Sequence, residues 1–286
     1  MTEPTLIAAA QFESPVGKVR ANTATAVEAV RAAAARGAAL VVLPEYAISG
    51  YDADWIRAGA PGGGITVPGP VPQALAEAGV EAGITVVFND LERAQNRLYG
   101  SSFVISGGKV VGRHRKTILT PGEAAAGLVP GDEAAVPVEV PGVPVPVAPM
   151  ICFEHGFPEI ALDLALAGAG LIAISSAIRT GTEYLRNLRT RARAQDNGCY
   201  VIAANAVGGD YCGESMIVDP RGDVLVRATS TASEVIVAEL DPELIVAQRR
   251  AEPVLRLRRP ELRPPHTRSG PFAAVTPLQS GGEPNV

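Results

Sequence analysis

The chain has 286 residues, 47% of them hydrophobic, which is enough for one large domain with a full core. A formal net charge of −5 argues against a dedicated nucleic-acid binder, and three cysteines without CxxC spacing argue against a disulfide framework or a zinc site. Because Met1-Thr2-Glu3-Pro4 is not a basic stretch followed by an apolar one, we expect no signal peptide and a cytoplasmic protein.

Apolar strand-like runs alternate with helical stretches along the chain. Two strand pairs enclose turn-forming residues, Gly107-Gly108 and Pro220-Arg221-Gly222-Asp223, and are predicted to be hairpins. This mixture of βα units and hairpins predicts mixed sheets with helices outside. In chain order the predicted elements are strand Thr5–Ala10, helix Asn22–Arg36, strand Ala39–Leu43, helix Val71–Ala82, strand Ile84–Phe88, hairpin Ser102–Ser106 with Lys109–Arg113, strand Val143–Met150, helix Ile160–Ala167, strand Leu171–Ser175, helix Thr182–Gln195, strand Tyr200–Ala204, hairpin Ser215–Asp219 with Val224–Ala228, and strand Val235–Leu240.

The apolar segment 160–178 is about long enough to span a bilayer. Gly168-Ala169-Gly170 breaks it into two elements, and Asp163 would be costly at mid-bilayer, so we predict no membrane association. Residues 264–286 are rich in Pro, Gly and Ser and are predicted to be an extended tail after a domain of residues 1–263. The chain lacks the glycine-rich phosphate-binding runs, so no nucleotide cofactor is expected.

Three segments carry candidate chemistry. Cys152 ends an apolar run just before a predicted helix, a position that exposes a nucleophile, although a lone cysteine is more often a small buried hydrophobe. Glu45 follows a predicted strand, at the end where α/β sheets bind ligands. Lys116 follows the strand Lys109–Arg113. Taken singly, Glu45 is an ordinary loop acid and Lys116 a basic strand edge.

Together, the runs around these three residues resemble the nitrilase superfamily of carbon–nitrogen hydrolases. The resemblance extends from about Leu6 to Leu262. The matching runs are Leu43-Pro44-Glu45, Arg115-Lys116 with Leu119, Ile151-Cys152-Phe153-Glu154 with Phe157-Pro158-Glu159, Arg191-Ala192-Arg193-Ala194-Gln195-Asp196-Asn197, Ala204-Asn205, Gly213 with Ser215-Met216-Ile217-Val218-Asp219-Pro220 and Gly222, and Arg258-Arg259-Pro260-Glu261-Leu262.

The resemblance implies an α/β fold, a four-layer αββα sandwich, and a catalytic triad of Glu45, Lys116 and Cys152. Only a thiolate attacks efficiently, and Glu45 can take the thiol proton if burial raises its pKa. Lys116 and the backbone N–H of Phe153 can then stabilise the oxyanion. Many members carry a second glutamate, so Glu123 is predicted to orient Lys116 and the substrate. No metal or organic cofactor is needed for this chemistry.

The predicted substrate-binding residues surround the triad; they are Tyr46, Phe153, Glu154, His155, Gly156 and Ser176. Relatives that bind amino-acid carboxylates often carry arginine where this chain has His155 and Gly156. We therefore expect a neutral or cationic amide, and the acids Glu154, Asp210 and Glu214 favour a basic one. His155 is either a specificity residue or a packed histidine.

The expected function is hydrolysis of a small aliphatic primary amide to an acid and ammonia through a thioester on Cys152. Alternatives are an N-carbamoyl-amine or N-carbamoyl-amino-acid amidohydrolase, a nitrilase, an N-acyltransferase and a non-catalytic scaffold. The resemblance also implies a symmetric homodimer or a larger homo-oligomer, with Arg258–Leu262 at or near the interface. Besides the amide substrate and this second copy, we expect no nucleic-acid or membrane partner.

Overall fold

Two six-stranded mixed sheets form the centre of the computed structural model, which describes residues 4–61 and 63–262. In spatial order the first sheet contains β14 (Glu234–Leu240), β1 (Thr5–Gln11), β2 (Ala38–Val42), β3 (Thr85–Ala94), β4 (Arg97–Ser106) and β5 (Lys109–Arg115). The second contains β13 (Val224–Arg227), β12 (Met216–Val218), β9 (Tyr200–Asn205), β8 (Leu171–Ser176), β7 (Val143–Ile151) and β6 (Val138–Val140). A small ladder pairs β10 (Val207–Gly208) with β11 (Tyr211–Cys212). The predicted tail, 264–286, lies outside the described residues.

The helices lie outside the two sheets. They are α1 (Val19–Ala35), α2 (Ala53–Arg57), α3 (Pro70–Ala82), α4 (Pro121–Ala125), α5 (Pro158–Leu166), α6 (Glu183–Asn197) and α7 (Pro242–Ala251), with 3-10 turns at Cys152–Gly156 and Pro260–Leu262. α1 and α3 pack on the first sheet, and α5 and α6 pack on the second.

Side chains alternate between layers along each buried strand, as the pleat requires. Ile7 and Ala9 of β1 face the second sheet, whereas Ala8 and Ala10 face the helices. A layer between the sheets joins residues of both, including Val42 of the first and Ala173 of the second. The αββα prediction is therefore confirmed.

The sheets meet at the carboxyl ends of their parallel strands. β1, β2 and β3 run parallel, as do β7, β8 and β9. Just past the end of β2, the Leu43 carbonyl accepts the hydroxyl of Ser175 at 2.8 Å, and the Glu45 N–H donates to the carbonyl of Ser176, the last residue of β8, at 3.2 Å. Loops from both sheets thus converge at one seam, where polar side chains from each can meet.

Several elements differ from the sequence-based expectation. The strand expected over Ile84–Phe88 continues to Ala94 and turns back at Gln95-Asn96, whose φ angles of +48° and +62° make a tight turn without glycine. The expected hairpin strand ending at Arg113 continues to Arg115. The helices α2, α4 and α7 and the short strands β6, β10 and β11 were not predicted, because most are too short to show a periodicity.

Among residues 4–61 and 63–262, no helix has both the length and the apolar character that crossing a membrane requires. Within the same residues, no three His, Cys, Asp or Glu side chains are grouped as metal ligands would be.

Candidate active site

A buried lysine joins two buried carboxylates at the seam between the sheets. The ammonium of Lys116, which is 1% exposed, donates to Glu45 Oε1 at 2.8 Å and to Glu123 Oε1 at 2.7 Å. Lys116 directly follows β5, and its backbone is fixed by an N–H bond to the Gly100 carbonyl. Two carboxylates around one ammonium satisfy the charges that burial would otherwise make costly.

Glu123 is fixed by the first turn of α4. Its Oε2 accepts the Thr120 N–H at 2.8 Å, while the Thr120 hydroxyl accepts the Glu123 N–H at 3.2 Å, so the two residues form a capping box. Its other oxygen faces Lys116 and also accepts the Tyr46 hydroxyl at 2.6 Å. The Thr120-Pro121-Gly122-Glu123 run is the sequence signal for this helix start.

Glu45 lies in a loop, residues 43–50, that is buried along its whole length. Two neighbouring side chains of β3 hold this loop: Asn89 Oδ1 accepts the Tyr46 N–H at 3.0 Å, and Asp90 Oδ2 accepts the N–H groups of Ile48 and Ser49 at 2.9 Å each. Burial raises the pKa of Asp90 to about 6. Neither Asn89 nor Asp90 was predicted, because a buried Asn-Asp pair within a strand forms no recognisable motif.

Cys152 is half-buried at the end of β7, in the turn Cys152–Gly156, and has a φ of +35°. Its thiol lies beside the Glu45 carboxylate and the Ala177 N–H. The structure therefore brings Cys152 of the second sheet to Glu45 and Lys116 of the first. This is the convergence that the sequence predicted.

The ionisation states at this cluster follow from burial and mutual charge. Burial raises the pKa of Glu45 above its usual 4.5, against the effect of Lys116, and the Glu123 charge adds to the rise. Burial and the Glu45 carboxylate raise the pKa of the Cys152 thiol well above its usual value. Burial alone would lower the pKa of Lys116, but Glu45, Cys152 and Glu123 outweigh it and raise that pKa. Lys116 is thus charged at neutral pH, and the resting thiol carries its proton.

The pKa of Glu123 is shifted downward, opposite to the shift of Glu45. Burial alone would raise it, but Lys116 and the Tyr46 hydroxyl hold it below its usual 4.5. The two carboxylates on one lysine therefore differ: Glu123 stays ionised, whereas Glu45 is poised to accept a proton. When two neighbouring acids have pKa values shifted apart, the one with the lowered pKa can orient a cation and the one with the raised pKa can act as a general base.

Glu154, predicted to bind substrate, has both carboxylate oxygens bonded within the protein. Its side chain is fully buried, and Oε1 accepts both the N–H and the hydroxyl of Thr117 at 2.8 Å. Oε2 accepts the Ile151 N–H and contacts His114 Nε2, each at 2.9 Å. Burial alone would raise the pKa of Glu154, but these bonds hold it below its usual value. Glu154 ties the Cys152 turn to the segment after β5.

Tyr46 and Ser176 are also turned inward. The Tyr46 hydroxyl donates to Glu123, and the Ser176 hydroxyl contacts Asn205 Oδ1 at 3.0 Å and the Ala204 carbonyl at 3.1 Å. Both residues are 1% exposed. In this structure their hydroxyl groups bond within the protein and support the cluster, and their contact with substrate stays a prediction.

His155 and Gly156 face helix α6. His155 is 2% exposed, and its Nδ1 bonds to the Cys152 carbonyl. A Cβ on Gly156 would lie 3.3 Å from the Arg189 guanidinium, so the missing side chain leaves room for that arginine. Phe153 is half-buried and packs edge-on against Phe157, with ring centroids 5.4 Å apart.

The acids that favoured a basic substrate are paired with other residues of the protein. Glu214 pairs with Arg186 at 2.9 Å, and Asp210 lies 3.5 Å from Arg179 in a pair that is largely exposed. With Glu154 buried as well, the structure gives no free acid of this set to a cationic group.

Two tyrosines near the Glu45 carboxylate were not found from the sequence. The ring of Tyr51 stacks on Tyr46, with centroids 4.9 Å apart, and the Tyr211 hydroxyl contacts the Tyr51 carbonyl at 3.4 Å. Burial and the charge of Glu45 raise the pKa of Tyr211, and Cys152 contributes to the same rise. Tyr51 and Tyr211 are therefore candidate walls of the substrate site. Tyr211 lies in β11, a strand too short for any sequence pattern.

A groove of about 780 Å³ lies elsewhere, between α3 and the β4–β5 turn. Val80 and Val110 are among its lining residues, and none of the cluster described above borders it. It is therefore separate from the Cys152 site.

The raised pKa of Glu45 predicts where activity is lost in acid. A carboxyl whose pKa is raised in the folded protein gains its proton at a higher pH on acidification. We therefore expect kcat/KM to fall through an apparent pKa above 4.5, with the fold intact by circular dichroism. The exposed variant Glu28→Gln should keep this profile, and Glu45→Gln should be inactive throughout. An acid limb at or below pH 4.5 would contradict this assignment.

Comparison with known proteins gives a consistent result. Residues 6–250 match the family model described as carbon–nitrogen hydrolase. The chain is 33% identical to the deaminated glutathione amidase of Homo sapiens over 278 residues, which cover 90% of this chain and 83% of the relative. It is 32% identical to an omega-amidase of Saccharomyces cerevisiae, over 77% of this chain and 80% of the relative.

A solved structure shares the fold. An amidase from Nesterenkonia sp. AN1 in complex with acrylamide superposes with a TM-score of 0.79, at 22% identity, over 91% of this chain and 95% of that chain. The same amidase has been solved with the acetamide moiety of fluoroacetamide added covalently at its active-site cysteine.

Proposed function

The chain belongs to the carbon–nitrogen hydrolase family, and we propose that it hydrolyses a small primary amide to a carboxylic acid and ammonia through a thioester on Cys152. The observation that carries this proposal is the buried Glu45–Lys116–Glu123 cluster beside the Cys152 thiol. It supplies a nucleophile, a base with a raised pKa and a fixed cation within one site.

The first half of the proposed cycle forms the thioester. As the Cys152 sulfur attacks the carbonyl carbon, its proton passes to Glu45, because the resting thiol is protonated. The negative charge that develops on the carbonyl oxygen is stabilised by the Lys116 ammonium and the Phe153 N–H. Glu45 then gives its proton to the nitrogen, the C–N bond breaks, and ammonia leaves.

The second half releases the acid. A water molecule attacks the thioester carbonyl carbon and passes its proton to Glu45. The tetrahedral intermediate collapses, the C–S bond breaks, and the sulfur regains a proton from Glu45. Amide and water are thereby converted to acid and ammonia, with Glu45 restored as a carboxylate.

We propose a neutral acyl group as the preferred substrate. Relatives that bind carboxylates often carry arginine at the positions of His155 and Gly156, and here both residues face α6. The acids that favoured a basic tail are bonded to other residues of the protein. A neutral amide demands no charged partner in a buried site.

The substrate preference is tested with an amide panel. We expect kcat/KM for propanamide to exceed that for 5-aminopentanamide and for N-carbamoylalanine by about 10-fold or more, since the ammonium meets no free acid of the set above and the carboxylate must be desolvated. Ammonia release is the readout, and Cys152→Ala is the blank. A preference for the carbamoyl acid would overturn this choice.

A carboxylate-bearing amide is a second candidate. The relatives named omega-amidase and deaminated glutathione amidase suggest it, and one observation favours it: Arg189 lies beside Gly156 and, among the described residues, has no carboxylate oxygen within 4.0 Å. In this case succinamic acid would lead the panel, and Arg189→Met would lower its turnover but not that of propanamide.

We also propose a homodimer working in the reducing cytoplasm. Tyr184 and Leu188 of α6 are 67% and 65% exposed, an apolar face that a second copy could cover, and the three cysteines are free. Light scattering at micromolar concentration should give twice the chain mass of 29.5 kDa, and Leu188→Lys should shift it toward the monomer. A wild-type monomer would contradict the proposal.

A further inference from the structure

Cys152 has a backbone conformation that its neighbours must hold in place. Its φ of +35° is uncommon for a residue with a side chain, and such conformations cost on the order of 1–3 kcal/mol. The surrounding contacts of the Cys152 turn therefore decide how precisely the thiol and the adjacent peptide group are aimed.

Two side chains of the turn bond to peptide groups around Cys152. Glu154 accepts the Ile151 N–H, on the strand side. His155 Nδ1 bonds to the Cys152 carbonyl, on the other side. A carbonyl oxygen can only accept, so Nδ1 carries the proton and donates it.

The bond from His155 to the Cys152 carbonyl also orients the Phe153 N–H. The Cys152 carbonyl and the Phe153 N–H belong to the same planar trans peptide unit and point in opposite directions. Fixing the carbonyl toward His155 therefore fixes the Phe153 N–H away from it. That N–H is the proposed backbone donor to the oxyanion.

The surroundings of His155 favour one protonation state of its ring. Its Nε2 is buried and has no partner among the described residues. The imidazole lies in the positive field of Arg186, Arg189 and Arg193 on α6. Burial and these like charges outweigh the opposing effect of the bond to the Cys152 carbonyl and lower the pKa of His155 to about 4, so the ring is neutral near pH 7 with its proton on Nδ1.

Resting on the proposed amide hydrolysis, we infer that His155 is a positioning residue, whose Nδ1–H sets the Cys152–Phe153 peptide so that the Phe153 N–H faces the oxyanion. The histidine acts through the peptide and does not touch the substrate. Its role is in the transition state, where the charge on the carbonyl oxygen is largest.

Three variants separate this role from simple packing. His155→Leu removes the donor at similar size, His155→Asn places an amide nitrogen where Nδ1 lies, and His155→Gln places one further out. Each is measured for kcat and KM on the best amide, for melting temperature, and for the rate of Cys152 alkylation by iodoacetamide, a displacement that forms no oxyanion.

We expect His155→Leu to lower kcat by about 10- to 100-fold, less than outright loss of an oxyanion donor, with KM and the alkylation rate changed by less than about threefold. His155→Asn should recover most of kcat, and His155→Gln should not. If the leucine variant fails to fold, the asparagine–glutamine pair decides, since both are polar and differ in where the donor sits.

Equal kcat values for the asparagine and glutamine variants, or a leucine variant within about twofold of wild type, would overturn the positioning role alone. A parallel loss of alkylation and turnover would assign His155 to packing. A wild-type protein that is alkylated at Cys152 but hydrolyses no amide would overturn the proposed function and this role with it.

Discussion

Replacing Cys152 by alanine is expected to lower amide hydrolysis by at least about 10⁴-fold, because no other group can form the thioester. Cys152→Ser, which changes one atom, should be nearly as inactive, since the serine hydroxyl is far less acidic than a thiol. Cys152 is only half-buried, so both variants should unfold within about 1 kcal/mol of wild type. Ammonia release and chemical denaturation provide the two measurements.

The other two cysteines are the matched controls. Cys199 is fully buried, so iodoacetamide should not reach it, whereas the half-buried Cys152 lies beside the Glu45 carboxylate, which can take its proton. Cys199→Ala and Cys212→Ala should keep activity, and one adduct, on Cys152, should abolish it. Turnover by Cys152→Ala would exclude the thioester route.

Replacing Lys116 by methionine should damage both the fold and the reaction. The variant leaves Glu45 and Glu123 buried without their shared cation, and removing one partner of a buried ion pair costs about 3–5 kcal/mol. Loss of the cation at the oxyanion should lower kcat by at least about 10²–10³-fold. Denaturant unfolding and ammonia release measure the two effects.

Because the pKa of Lys116 is raised, its stabilising effect covers the whole neutral pH range. A lysine whose pKa is raised on folding contributes stability that is fully present below its unfolded value of 10.5 and is lost only as pH rises through the folded value. The loss in Lys116→Met should therefore be evident at pH 7. Lys109→Met, at an exposed position in β5, is the control and should match wild type. Equal stability of both variants would show that Lys116 does not hold the carboxylates.

The sequence was most informative where chemistry requires particular residue types at the ends of strands. Glu45, Lys116 and Cys152 each follow a strand in a recognisable run, and the long apolar strands alternate clearly between two faces. These features are local, so they can be read without knowing which strands are neighbours.

The directions of side chains near the cysteine could not be predicted in the same way. Glu154 and His155 follow Phe153 in the Cys152 turn, and all three were predicted to line the site. Glu154 instead turns toward Thr117, 37 residues earlier, and His155 toward the arginines of α6, the first of which, Arg186, is 31 residues later. Such partners depend on the tertiary fold, and no spacing within the Cys152 turn reveals them.

The division of the active site between the two sheets links catalysis to the integrity of the whole domain. Loops after the strands of the first sheet carry the proposed base and cation, and the second sheet carries the proposed nucleophile, so neither half alone holds the whole proposed set. They meet because the layer that includes Val42 and Ala173 keeps the halves in register. If the proposed mechanism holds, activity requires the assembled sandwich, and a substitution that shifts one sheet against the other should lower turnover even where both sheets stay folded.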